Sequence, residues 1–158
     1  LTSDHGEEFV AGRRPHGNGL LTEDVVRVPL LVHMPGQREG RRIETPVGHL
    51  DLAPTILEAV YGRAPAGLAG QSLLGPLPAA RAVAAWGLAG QYFATLPGTP
   101  SVAIYQDRFK YMRTWPDAGE ALFDLTADPG AERDLARARP AIARALRARM
   151  QQEFGDFD

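Results

Sequence analysis

The apolar positions of this chain change their period along its length. Val28-Pro29-Leu30-Leu31-Val32-His33-Met34 is an almost continuous apolar run stopped by Pro35-Gly36. It predicts a strand buried on both faces, as in a sheet covered by helices. Leu52, Ile56, Leu57 and Val60 then recur at helical spacing and predict a helix over 52–60. Asp51 is expected to cap it, Pro54 sits in its first turn, and Gly62 supplies the stop. Residues 1–5 read as a strand end, while the Gly-, Pro- and charge-rich stretches 6–24 and 62–80 read as loops.

Past residue 79 the pattern shortens. Arg81–Leu88, Ser101–Tyr105, Phe109–Trp115 and Ala121–Leu125 are short segments separated by turn residues such as Pro97-Gly98 and Asp117-Ala118-Gly119. They predict an antiparallel meander. Tyr111–Trp115 alternates large and polar residues, so one sheet face is expected to be wet. Asp128-Pro129-Gly130 ends the meander, and Pro140 opens a helix over 141–154. Its residues Ile142, Leu146, Met150 and Phe154 fall every fourth position, a stripe that must bury against something. The fold class is α/β in two parts. Residues 1–78 read as the closing part of an α/β layer domain, and residues 79–158 as a small α+β subdomain of antiparallel sheet plus terminal helix.

Composition narrows the options. With 158 residues and a hydrophobic fraction of 44%, the chain can bury a core and is too apolar for disorder. A net charge of −2 gives no electrostatic case for nucleic acid or an acidic membrane as partner. No apolar run approaches the roughly 18 residues of a membrane helix. The absence of cysteine removes disulfides, thiolate metal sites and cysteine nucleophiles from this chain. Lys110 is the only lysine; on the meander it reads as surface, and Trp115 as core.

Asp4-His5-Gly6 is the foremost candidate for chemistry. Adjacent side chains on a strand point to opposite faces, but where the chain turns at a glycine both heads can converge. A carboxylate and an imidazole at one point make half of a metal site. Taken alone, the tripeptide reads first as a turn-capping aspartate beside a packed histidine. Ligands do gather outside the carboxyl ends of strands in α/β sheets, which favours the site. A motif at residue 4 further predicts that the remaining ligands lie upstream. The loop His16-Gly17-Asn18-Gly19, with Arg13 and Arg14 nearby, offers close-approaching amides and positive charge to an anion. His16 could donate to that anion or protonate a leaving oxygen. Glu7, Glu8, Glu23 and Asp24 read as solvated or arginine-paired, and His33 and His49 as structural histidines.

In this order the pieces resemble the sulfatase family of the alkaline phosphatase superfamily. Thr2-Ser3-Asp4-His5-Gly6-Glu7-Glu8-Phe9 resembles that family's second metal-binding motif. His16-Gly17, Leu20–Glu23 and Val26-Arg27-Val28-Pro29-Leu30-Leu31-Val32 are similar to its cationic loop and following strand, with Met34-Pro35-Gly36 as the exit. Gly48-His49-Leu50-Asp51-Leu52-Ala53-Pro54-Thr55-Ile56-Leu57 resembles its helix motif, and Gly70-Gln71-Ser72-Leu73-Leu74 the segment after it. Arg108-Phe109-Lys110-Tyr111 and Leu122-Phe123-Asp124-Leu125-Thr126-Ala127-Asp128-Pro129 resemble its C-terminal subdomain.

The resemblance implies the C-terminal part of an alkaline-phosphatase-like α/β sandwich followed by the α+β subdomain. It implies hydrolysis of a small-molecule or carbohydrate sulfate ester by a formylglycine nucleophile carried upstream, so that these residues alone are expected to be inactive. It also implies a divalent cation, usually calcium with manganese or magnesium as alternatives, held in part by Asp4 and His5, with His16 beside the sulfate. Family habit implies a periplasmic or extracellular location. Two departures stand out: Ala11-Gly12-Arg13 occupies the place of a frequent Glu-His-Gly, and His16 and Asn18 stand where many members carry lysine. A phosphate- or phosphonate-ester hydrolase of the same superfamily, and a non-catalytic relative, are the alternatives.

Overall fold

A computed structural model describes residues 1–9, 21–87, 101–114 and 119–155. Helices α1 (Glu23–Val26), a 3-10 turn (His49–Asp51) and α2 (Leu52–Tyr61) precede four strands, β1 (Ala82–Gly87), β2 (Ser101–Gln106), β3 (Phe109–Thr114) and β4 (Glu120–Asp124). Helix α3 (Pro140–Phe154) closes the order. The strands form one antiparallel meander, β1-β2-β3-β4, as the short alternating segments predict.

Cross-strand register explains the core. Ile104, Tyr111 and Leu122 lie opposite one another across β2, β3 and β4, and all three are fully buried. Together with Val102 they pack against Ala143, Leu146 and Met150, the inward stripe of α3. Each of the larger apolar side chains among these, such as Ile104, Leu122 and Leu146, contributes about 1.5–3 kcal/mol. Pro140 stands in the first turn of α3, where its missing N–H costs nothing. Arg147 ties the helix to the sheet: its Nε donates to the Tyr111 hydroxyl at 3.1 Å, its guanidinium pairs with Glu120, and Tyr111 donates to Glu120 at 2.8 Å. Burial pushes the Tyr111 hydroxyl up to about 12.

The opposite sheet face is also covered, which corrects the expectation of a wet face. Tyr105, Lys110 and Phe123 form the neighbouring cross-strand row, and Lys110 is only 2% exposed. Its ammonium donates to the Leu21 carbonyl and to Glu23 Oε1, and lies over the Tyr105 and Phe123 rings. Lys110 is therefore not a surface residue, nor is Glu23 solvated: the segment around α1 seals this face with an ion pair inside an aromatic frame.

Helix α2 begins and ends where its sequence predicts. Gly62 takes φ +73° and its N–H reaches the Glu58 carbonyl at 2.8 Å. Its start differs. Asp51 gives α2 no side-chain cap. The carboxylate is instead completely buried and accepts from the Gly48 N–H at 2.9 Å, the Gln71 N–H at 2.8 Å and the Arg81 guanidinium at 2.5 and 2.6 Å. Thr55 continues this knot, donating to the Asp51 carbonyl and accepting from the Leu73 N–H.

Residues 28–34 form no regular strand and are not buried on both faces: Leu31, Val32 and His33 are exposed. Leu1 and Leu31 exchange two backbone hydrogen bonds, at 2.7 and 2.9 Å. Hydropathy measures what exposure costs, not whether a neighbour is present to cover the residue. Ile56 and Val60 of α2 are exposed for the same reason.

Candidate functional site

Asp4 and His5 converge as their spacing predicts. The His5 N–H donates to Asp4 Oδ1 at 3.1 Å, bending the chain so that Asp4 Oδ2 and His5 Nε2 stand 3.8 Å apart. His5 Nδ1 lies 2.9 Å from the Gly6 carbonyl, which can only accept, so Nδ1–H donates, and in the neutral ring the lone pair is on Nε2. Both side chains are open to solvent, 90% for Asp4 and 42% for His5. Backbone amides, its own and that of His5, hold the Asp4 carboxyl below its ordinary range, and the charge of His5 adds to this. The Gly6 carbonyl raises His5 against the effect of desolvation, with the charges of Asp4 and Glu7 assisting.

This geometry fits part of a divalent-cation site. Two ligands about 2.0–2.5 Å from one ion sit roughly 3–4 Å apart, and the pair offers an ionised carboxylate and an imidazole lone pair at that separation. Calcium takes about 6–8 ligands. Among the described residues no group of three or more His, Asp or Glu side chains converges. The pair thus offers two donors, fewer than a divalent cation takes.

The Asp4–His5 turn is pinned on both sides. The Gly6 N–H donates to the Val25 carbonyl at 2.8 Å, and a Cβ at Gly6 would stand 1.9 Å from the Asp24 carbonyl oxygen. Gly6 is thus required by close backbone approach. On the other side His49 Nε2 lies 2.9 Å from the Ser3 carbonyl. An open cavity of about 580 Å³ starts at Gly6 and is lined by Glu7, Phe9, Glu23, Asp24, Arg27 and Pro129, without Asp4 or His5.

His16 and the rest of its loop lie outside the described residues, so the structure bears only on Asp4 and His5 of the three candidates. His49, a structural histidine by its sequence context, is held at the Ser3 carbonyl, 46 residues away, a link that nothing local encodes. Lys110, which reads from the sequence as a surface residue, is buried. The available signal was its singularity, one lysine among seventeen cationic residues, flanked by Phe109 and Tyr111.

Comparison with known proteins agrees with this architecture. A family described as N-sulphoglucosamine sulphohydrolase, C-terminal, matches residues 16–156. An ulvan-active sulfatase of Formosa agariphila is 28% identical over 85% of this chain and 28% of its own length. A Delta 4,5-hexuronate-2-O-sulfatase of Bacteroides thetaiotaomicron is 27% identical over 87% of this chain and 30% of its own. A solved 2-O GAG sulfatase superposes on 99% of this chain and 36% of its own, with a TM-score of 0.76 at 25% identity. The chain spans between 14% and 30% of the length of the curated relatives it matches. Among the described residues no helix is long and apolar enough to cross a membrane. With its four-stranded meander, its closing helix and a family match over most of its length, the chain belongs to the sulfatases and represents a C-terminal portion of their fold.

Proposed function

We propose that the protein carrying this chain hydrolyses sulfate esters of carbohydrates, with Asp4 and His5 as two ligands of a divalent cation, calcium first. The observation behind this reading is the 3.8 Å convergence of Asp4 Oδ2 and His5 Nε2 on a turn fixed by Gly6. Two relatives act by name on 2-O-sulfated sugars or uronates, which supports a sugar sulfate as substrate.

Asp4 supplies a hard anionic oxygen and His5 a nitrogen whose direction is set by the Gly6 carbonyl. The bound cation would polarise the sulfate oxygens as a Lewis acid. A formylglycine outside these residues would supply the nucleophile. His16 is assigned, by family resemblance, to donate to the sulfate or to protonate the leaving oxygen.

The test uses the complete protein with a 2-O-sulfated unsaturated disaccharide and a phosphate monoester, before and after chelation. We expect sulfate release that chelation abolishes and added calcium restores. Asp4→Ala is expected to lower kcat/KM on the order of a hundredfold or more. Turnover of the phosphate ester alone, or sulfate release indifferent to chelation and to Asp4→Ala, overturns the reading.

A further inference from the structure

His49 is the contact that the cation reading leaves unused. It opens the 3-10 turn whose third residue, Asp51, is fully buried and holds Gly48, Gln71 and Arg81 together. The bond from the Gly48 N–H to the Asp51 carboxylate fixes the residue immediately before His49. His49 thus stands on an anchored piece of backbone while its ring reaches an exposed partner, the Ser3 carbonyl, at 2.9 Å. A carbonyl only accepts, so Nε2–H donates.

The Ser3 carbonyl belongs to the peptide plane whose N–H is that of Asp4. Holding that oxygen sets the plane by which the chain enters Asp4, just as the bond from Gly6 to Val25 sets the exit after His5. The dipeptide is clamped between the turn that starts at His49 and the backbone at Val25.

We propose that His49 is a positioning residue for the cation site: its Nε2–H fixes the Ser3–Asp4 peptide and so aims the Asp4 carboxylate. The inference rests on the cation reading of Asp4 and His5. A hydrogen bond at an exposed carbonyl contributes little to folding, since water replaces it. Its effect is expected in ligand orientation, where groups behind the ligands govern affinity.

The experiment is calorimetric titration of the chelated complete protein with Ca²⁺, beside its thermal unfolding without metal. His49→Ala is expected to weaken Ca²⁺ binding about 10-fold or more, with the unfolding temperature of the chelated protein close to wild type. His49→Gln, whose side-chain amide can donate to Ser3, is expected to keep most of the affinity. His49→Phe, which keeps ring volume but has no donor, is expected to behave as His49→Ala and takes its place should the smaller side chain disturb folding. Wild-type affinity in both Ala and Phe variants, or a Gln variant as weak as they are, overturns the proposal. Asp4→Ala separates the two readings. If it binds Ca²⁺ as wild type, the cation reading fails; if it is weak while the His49 variants are not, only the role of His49 fails.

Discussion

Lys110 donates to Glu23 at 2.8 Å across 87 residues of chain, and both side chains are buried, 2% and 7% exposed. This pair joins the second sheet face to α1. Desolvating two charges is costly, and the Leu21 carbonyl, the Tyr105 hydroxyl and two aromatic faces offset part of that cost. Lys110→Met leaves the Glu23 carboxylate buried without its cation and is expected to lower unfolding free energy by about 3–5 kcal/mol. Adding Glu23→Leu removes the stranded charge and is expected to recover most of that loss. Urea denaturation of the single and double variants checks both. A double variant no more stable than Lys110→Met would contradict this account.

Asp51 makes a second prediction. Its carboxylate accepts from three separate segments, at Gly48, Gln71 and Arg81. Asp51→Ala leaves both backbone N–H groups without this acceptor and the largely buried guanidinium without its counter-charge, so it is expected to cost about 3–5 kcal/mol. Arg81→Met leaves the two backbone donors in place and is expected to cost less than Asp51→Ala. Denaturation midpoints in the reverse order would show that the arginine, not the carboxylate, organises the knot.

Gly6 and Gly40 should respond oppositely to the same change. A Cβ at Gly6 meets the Asp24 carbonyl oxygen at 1.9 Å, whereas one at Gly40 meets nothing within 4 Å. Gly6→Ala must push the Asp4–His5 turn away from α1 and is expected to cost about 1–3 kcal/mol. Gly40→Ala is expected to be neutral or to stabilise by up to about 1 kcal/mol, through the unfolded chain. Thermal unfolding of both variants distinguishes steric contact from a general effect of glycine replacement.

The Glu120–Arg147 pair sets a pH dependence. The hydrogen bond from Arg147, then that from Tyr111, lowers the Glu120 carboxyl below its ordinary value of 4.5. A carboxyl lowered in the folded state contributes stability that is complete above 4.5 and is lost as pH falls through the folded value. With the Arg147 side chain 41% and the Glu120 side chain 33% exposed, water screens the pair, and its contribution at neutral pH is less than about 1 kcal/mol. Glu120→Gln is expected to be less stable than wild type at pH 7, with the gap closing in the acid range. Chemical denaturation from pH 7 downwards measures this, and a gap that stays constant would exclude Glu120 as its source.

Local patterning decides α2 and the elements of the C-terminal half. The alternating segments become β1–β4, Gly62 ends α2 in the left-handed conformation, and Pro140 opens α3 with Leu146 and Met150 inward. Each of these features is encoded within a few residues, by side-chain period or by backbone freedom. The Asp4–His5 turn is legible for the same reason, since adjacent residues before a glycine form it.

Tertiary structure alone decides what each polar side chain does. It turns Lys110 from a surface cation into a buried clamp, moves Asp51 from a helix cap to a knot with Arg81, and sets His49 against Ser3. Their partners lie 87, 30 and 46 residues away, and no local period carries such distances. It also decides that Leu31 and Val32, apolar enough for an interior strand, stand exposed in this chain. Burial is a property of what packs against a residue, and a residue's own hydropathy only sets how much that packing contributes.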